Sequence, residues 1–179
     1  MTPSQNQSAS HNSLYHSTCL HRKLCIPFSE INFSRIEDHL RQMVSNDMDG
    51  RCIAEGFVKP GSCVLRSHSI GSLSAGNVRF ELDVECMLCC PKDGAVINCV
   101  AKTVTQAGIR AHACMSPSPV VIYISREMQD AVRTPQGPVP MQMDSIKPGD
   151  TMQIRVVGKR FELNDKHVSV IGELINEFN

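Results

Sequence analysis

The amino-acid sequence predicts an α+β protein, in which an N-terminal domain with one helix on an antiparallel sheet precedes a small five-stranded β-barrel. One segment, residues 34–50, carries apolar side chains with helical spacing. Residues 78–90 alternate apolar and polar side chains, which is typical of a strand with one buried face. From Pro91 onward, short apolar runs alternate with Gly and Pro turns, and no helix is expected. At 179 residues, the chain suits one ordinary domain or two small ones.

Composition narrows the class of protein. Hydrophobic residues make up 41% of the chain, enough for a core, but aromatic residues only 4%. Lys and Arg together number 18, and so do Asp and Glu, so any binding of nucleic acid must be local or shared with a partner. The nine cysteines are an odd number within mostly apolar runs, and no apolar leader precedes them. These features predict a soluble protein of a reducing compartment, with no membrane partner.

The N-terminal elements follow in order. Residues 1–20 are predicted to be a flexible polar tail rich in Ser, Asn and Gln. The apolar run 19–28, which starts at the end of this tail, predicts a first strand. The helix has Ser34 as its N-cap in a capping box with Glu37, and Gly50 as its left-handed stop. One helix face consists of Ile36, Leu40, Met43 and Val44.

Strands follow at residues 51–58, 62–70 and 78–90, the last of which ends at Pro91. The N-terminal domain is therefore expected at residues 21–90 and the second domain at 91–179. In the second domain, residues 95–115 predict two strands around a turn at 106–108. Residues 119–128 predict a third strand, and 133–142 a loop.

The last strands begin after the turn at Pro148 and end in a hairpin, with Asn164-Asp165 as its tight turn. Met152, Ile154 and Val156 are expected to point to one side. Five short strands with glycine at the bends fit a closed barrel of the OB type, in which the hairpin supplies the closing strands and removes the open edges.

These segments resemble the stalk subunit of multisubunit DNA-directed RNA polymerases, which is the seventh subunit of eukaryotic polymerase II and has an archaeal counterpart. The resemblance covers residues 24–178. The matching positions in the N-terminal half are Gly56-Phe57-Val58 and Gly76. Those in the barrel are Pro91, Gly94, Val96, Val100, Val104, Gly108, Ile124-Ser125-Arg126, Val157-Gly158, Asn164-Asp165 and Ile171-Gly172.

The resemblance implies a ribonucleoprotein-like tip domain that docks near the polymerase clamp and an OB barrel that guides nascent single-stranded RNA. It implies no catalysis by this chain and no cofactor. Its partners would be the largest and second-largest polymerase subunits, and the sequence leaves open whether a smaller stalk partner binds alongside. A cellular version would lie in the nucleus. A free-standing OB-fold RNA-binding protein of translation or RNA decay is the alternative.

Two positions depart from the family pattern. Gly94-Ala95-Val96 replaces the usual Gly-Glu-Val, and Arg110 stands where the family often has Phe, which weakens the expected stacking of RNA bases. A divergent, Cys- and Met-rich chain of this kind is similar to the subunits encoded by large DNA viruses. A viral version would lie in a cytoplasmic factory or in the virion.

Two surfaces are predicted to be functional. The RNA-facing residues of the barrel would be Lys102, Arg110, His112, Tyr123, Arg126, Lys159 and Arg160. The alternative is an ordinary solvated surface, because the chain from Pro91 onward is nearly neutral, with ten Lys or Arg and nine Asp or Glu. The polymerase-docking turn would expose apolar side chains beside a lysine, at Gly56, Phe57, Val58, Lys59 and Pro60.

Metal and thiol chemistry have weaker support. Cys86, Cys89 and Cys90 are interpreted as strand cysteines, with Cys86 and Cys90 on the buried face and Cys89 on the other. A weak metal site remains at His16, Cys19, His21 and Cys25, where a flexible segment would let the ligands converge. His112 with Cys99 or Cys114 suggests a base and a nucleophile, but no residue pattern supplies an oxyanion hole.

Overall fold

The computed structural model describes residues 14–131 and 143–178. The strands of this part are β1 (Tyr15–Pro27), β2 (Cys52–Ile53), β3 (Gly56–Val58), β4 (Val64–His68), β5 (Ser72–Ser74), β6 (Asn77–Cys89), β7 (Val96–Val104), β8 (Gly108–Ala113), β9 (Val120–Ser125), β10 (Thr151–Arg160) and β11 (Val168–Phe178). The helices are α1 (Ile36–Met48) and α2 (Arg126–Ala131). No helix within these ranges is long and apolar enough to cross a membrane.

The N-terminal sheet is built around β6. β1 pairs antiparallel with the whole length of β6. β3, β4 and β5 pair with successive parts of the other edge of β6, and β2 pairs with β3. The predicted alternation in β6 is confirmed. Its buried side chains join those of β1 and α1 in one core that includes Val78, Phe80, Leu82, Val84, Cys86, Leu88, Leu20, Ile26, Leu40, Val44 and Met48.

The helix is confirmed, but its predicted cap is wrong. A 3-10 turn at Phe33–Arg35 precedes α1, and the side-chain oxygen of Asn32 accepts a hydrogen bond from the Ser34 N–H at 3.1 Å. Ser34 is therefore a capped residue, because the chain turns two residues before the α-helix begins. The helix ends at Met48 with the extended Asp49 as its C-cap, so Gly50 is not the helix stop. Gly50 has the predicted positive φ of +70°, and its N–H donates to the Val58 carbonyl at 3.1 Å.

The predicted tail is too long at its C-terminal end. β1 begins at Tyr15, opposite Cys89, so residues 15–20 belong to the sheet. The physical reason is β6, whose thirteen residues provide a ladder partner even for the polar residues of β1. Residues 1–13 lie outside the described part of the chain.

The second sheet is the predicted closed five-stranded barrel, in the order β10-β11-β9-β8-β7, with β10 pairing back to β7. β11 and β9 are parallel, and the other pairs are antiparallel. The last two strands close the barrel, and Met152, Ile154 and Val156 all point into its core. Their connection spans residues 161–167, so the turn at Asn164-Asp165 lies within a longer loop than predicted.

One short helix was not predicted in this half. α2 begins at Arg126, directly after β9 ends at Ser125, so the expected third strand is shorter than predicted. The Arg126 N–H donates to the Ala107 carbonyl in the β7–β8 turn at 3.2 Å. The predicted loop at 133–142 lies outside the described residues, which resume at Met143.

The two domains share a packed and hydrogen-bonded junction. Cys52, Phe57 and Cys89 of the N-terminal sheet belong to the barrel's hydrophobic core. The Cys52 N–H donates to the Asp165 carbonyl at 2.7 Å, and the Asn164 N–H donates to the Cys52 carbonyl at 2.8 Å. The β10–β11 connection is therefore held against β2, which fixes the barrel to the N-terminal domain.

Candidate nucleic-acid interface

The outer face of the barrel brings a cation and an aromatic ring together. Arg110 on β8 lies directly opposite Tyr123 on β9, and Ile171 on β11 lies opposite Tyr123 on the other side. Side chains directly opposite in a sheet lie about 5 Å apart at Cβ. Tyr123 is 44% exposed, and Arg110 is exposed as well. The ring and the guanidinium are thus both available to a ligand.

His112 and Lys102 extend this group along the same side. His112 lies two residues beyond Arg110, and its pKa is lowered first by burial and then by Arg110, Lys102 and His167. Lys102 lies where the β7–β8 register shifts between Ala101 and Thr103, is exposed, and acts electrostatically on His112. We call Lys102, Arg110, His112 and Tyr123 the barrel strip.

The charge of the barrel strip is not neutralised within the described part of the chain. No carboxylate there forms an ion pair with Lys102 or Arg110. By contrast, Arg155 on β10 pairs with Glu173 on β11 at 3.6 Å. An electropositive strip beside an exposed ring suits a polyanion whose bases can stack, which is the chemistry of single-stranded nucleic acid.

Three other predicted RNA-facing residues do not join the strip. The Lys159 Nζ donates to the Pro91 carbonyl at 2.7 Å, which directs it to the domain junction. Arg160 pairs with Glu162 of the β10–β11 connection at 2.9 Å. Arg126 starts α2 at the end of the barrel near the β7–β8 turn. Local sequence could not separate Lys159 from the strip, because its hydrogen-bond partner lies 68 residues away in the chain.

His167 is a site residue that the sequence did not reveal. It lies in the β10–β11 connection, 55 residues after His112 in the chain, and it acts electrostatically on that imidazole. Only closure of the barrel brings the two residues together, so no local pattern could have indicated it.

The predicted docking turn is largely buried, which contradicts the expectation that it exposes apolar side chains. Gly56, Phe57 and Val58 form β3, and Phe57 and Val58 are 5% and 0% exposed. Phe57 packs into the barrel core and Val58 into the N-terminal core. Lys59, whose Nζ lies 5.6 Å from the Tyr15 ring centroid, and Pro60 are exposed.

The exposed apolar side chains of this domain lie elsewhere. Phe28 and Phe33, 53% and 59% exposed, have ring centroids 5.6 Å apart. The Phe28 N–H donates to the Gly76 carbonyl, which places both rings beside the β5–β6 turn, where Leu73 is 69% exposed. We call Phe28, Phe33 and Leu73 the apolar end. The sequence signal for this surface was the short stretch "PFSEINF", which contains two of the chain's six Phe among polar residues.

The weak metal site is not assembled. Its four residues lie on β1, an extended strand in which each residue adds about 3.3 Å, so they spread along the sheet and cannot converge. His21 instead binds Asp83 at 3.0 Å. Among the described residues, no group of three or more His, Cys, Asp or Glu is placed to hold a metal ion.

Cys86, Cys89 and Cys99 are buried, whereas Cys114 is exposed. Cys90 is only partly buried, contrary to its expected place on the buried face, because β6 ends at Cys89. Cys86 and Cys89 are both buried, but in different cores, because the barrel covers the sheet face that Cys89 occupies. Burial raises the pKa of Cys99 to about 12, which opposes thiolate formation. Burial also raises the pKa of Cys114, and the groups that act on His112 are cations. This arrangement does not favour a nucleophile–base pair.

Comparison with protein-family models gives no match, and comparison with curated proteins gives none either.

Proposed function

We propose that this chain is a non-catalytic stalk subunit of a DNA-directed RNA polymerase, in which the barrel guides nascent RNA and the N-terminal domain docks on the polymerase core. The observation that carries the proposal is the barrel strip, where Arg110 and Tyr123 lie side by side without a carboxylate partner among the described residues. A ring and a cation side by side can hold a base and its phosphate at once.

The barrel topology supports an OB-type domain. Three strands in a meander, β7 to β9, are followed by a strand that returns to pair with the first and a last strand parallel to the third. Such barrels bind single strands on the face formed by their second and third strands. Those strands are β8 and β9, which carry Arg110, His112 and Tyr123.

The junction supports a role in positioning. The core residues and backbone hydrogen bonds shared by the two domains make the chain one connected body. A barrel held in this way keeps the strip at a set distance from whatever binds the N-terminal domain. The β10–β11 connection contacts the ligand in free OB domains, but here it is hydrogen-bonded to β2.

The apolar end replaces the buried turn as the proposed docking surface. Exposed aromatic side chains at the tip of a domain are typical anchors of protein interfaces. The proposed partners are the largest and second-largest polymerase subunits, in the nucleus for a cellular chain and in a viral factory or virion for a viral one.

A native pull-down of the tagged full chain from its own source, followed by mass spectrometry, tests the proposal. We expect the two largest polymerase subunits in comparable amounts, and a marked loss of both with Phe28→Ala/Phe33→Ala. Leu163→Ala, which truncates a 68% exposed side chain in the β10–β11 connection, is the matched control and should retain them. Recovery of the chain alone, or with ribosomes or nucleases, would contradict the proposal.

A free-standing RNA-binding protein is the second candidate, because the barrel strip is complete without the N-terminal domain. Salt-sensitive binding of RNA by the isolated chain, as tight as that of a dedicated single-strand binder, together with no polymerase in the pull-down, would favour it.

A further inference from the structure

β1 is a long edge strand with an open side. It pairs with β6 over thirteen consecutive residue pairs without a register shift. In the part of the chain that the structure describes, no strand pairs with its other edge. β6, by contrast, is bonded on both flanks. Among the described residues, one side of β1 between Ser17 and Cys25 therefore has backbone groups without a strand partner.

The open backbone groups can be assigned to individual residues. The Phe28 N–H donates to the Gly76 carbonyl, one step beyond the Pro27–Asn77 pair. Hydrogen-bonded pairs alternate along an antiparallel ladder, so the even-numbered residues of β1 are bonded to β6. The N–H and C=O groups that point away from β6 are those of Ser17, Cys19, His21, Lys23 and Cys25.

Two further observations agree with this assignment. Pro27, which has no N–H, falls in the outward set, where proline is tolerated at a sheet edge. On β6, the odd-numbered residues face the opposite flank, since the Met87 carbonyl accepts from the Lys59 N–H and the Glu81 carbonyl accepts from the Ser69 N–H.

The other edges of this sheet are short or covered, unlike that of β1. β4 has five residues and a register shift against β6, β5 has three residues, and β2 is covered by the β10–β11 connection through Cys52. Native proteins protect edges with bulges, prolines, very short strands or charged side chains, and of these devices β1 has the charges, including Lys23. β1 has no bulge and no proline before Pro27. An edge of this length suits addition of a strand from elsewhere.

The charge on β1 indicates what kind of strand fits. β1 carries His16, His21, Arg22 and Lys23 and no Asp or Glu. On the side of β6, carboxylates pair with these charged residues: Glu81 lies 3.7 Å from Lys23, and Asp83 lies 3.0 Å from His21. An antiparallel second copy of β1 centred on this segment would place like charges near each other, which disfavours self-pairing.

We propose that β1 binds an extended segment of another protein, in which carboxylate side chains alternate with apolar ones, and adds it to the N-terminal sheet as a further strand. The backbone of the segment would bond to the five outward residues. Its carboxylates would lie beside His21 and Lys23, and its apolar side chains would lie on the helix side beside the partly buried Leu24. This proposal does not depend on the proposed function.

The test uses the full chain and a fluorescein-labelled, acetylated peptide of about nine residues that alternates Val and Glu, a length that matches the open edge. A peptide alternating Val and Lys is the control of equal β propensity. In fluorescence anisotropy we expect saturable binding of the Glu peptide, at least about tenfold tighter than the Lys peptide. Cys19→Glu/Cys25→Glu should weaken it by about tenfold, and Cys114→Glu, at an exposed barrel cysteine, should not.

Amide hydrogen exchange locates the contact. On binding, the amides of Cys19, His21 and Lys23 should slow, while the Arg22 amide, already bonded to β6, should not change. Equal binding of the two peptides, no binding up to about 1 mM, or protection confined to other strands would overturn the proposal. So would a chain that dimerises through β1 by itself, because a second copy would then be the occupant.

Discussion

Replacing Tyr123 by Ala tests the barrel strip most simply. The ring is 44% exposed and lies outside the barrel core, so its loss should leave the fold intact. Stacking of one base on an aromatic side chain is worth about 1–3 kcal/mol. At about 1.4 kcal/mol for each factor of ten, the Kd for single-stranded RNA should rise between about 5-fold and about 140-fold.

The assay is fluorescence anisotropy of a labelled oligouridylate of about 12 nucleotides, within the range of site sizes for one OB domain. Tyr123→Phe should keep most of the affinity, because it retains the ring. Phe33→Ala removes a 59% exposed ring from the N-terminal domain and should leave the Kd unchanged. A Kd for Tyr123→Ala within a factor of about two of the wild type, or an equal loss with Phe33→Ala, would refute the assignment of the strip.

Three further predictions concern charge, protonation and packing. Arg110→Ala should make the negative slope of log Kobs against log salt concentration shallower by about 0.7 for single-stranded RNA, and an unchanged slope would show that this cation does not contact phosphate. Because the pKa of His112 lies below its ordinary value of 6.5, the unfolded chain takes up the proton first. Stability should therefore be full above about pH 6.5 and fall as the pH drops below it, and urea titrations should show that His112→Gln removes part of this fall, whereas an identical fall would contradict the assignment. Phe57→Ala, at a 5% exposed position in the junction, should lower the free energy of unfolding by about 3–5 kcal/mol in the same titrations, and a loss below about 1 kcal/mol would contradict the packing described for it.

The sequence predicted secondary structure best where one side of a helix or strand is buried and the other is exposed to solvent. The alternation in β6 and the helical spacing of Leu40 and Val44 both follow from that condition, so each could be predicted from local pattern. The same pattern misled at Phe57, because a short apolar segment beside Lys59 and Pro60 suits an exposed turn as well as a strand. What decides between them is the barrel packed against β3, which local sequence does not describe.

The candidate site was predictable only in part for a related reason. Arg110, His112 and Tyr123 share a face because β8 and β9 pair in the register that period-two alternation requires. Lys159 lies on an equally plausible strand, but a bulge in β10 between Val156 and Gly158 and the nearby Pro91 carbonyl take it to the junction. Bulges and long-range hydrogen bonds of this kind leave no signature in the residues around them.

Cross-linking of nascent RNA that carries 4-thiouridine, in stalled elongation complexes purified from the chain's own source, tests most directly whether the barrel guides RNA. Mapping the cross-linked peptides by mass spectrometry should identify β8 and β9 of this chain, around Arg110 and Tyr123, among the contacts of RNA that has left the polymerase. Transcribing complexes that lack the chain, or cross-links on this chain confined to the N-terminal sheet, would contradict a stalk subunit whose barrel guides RNA.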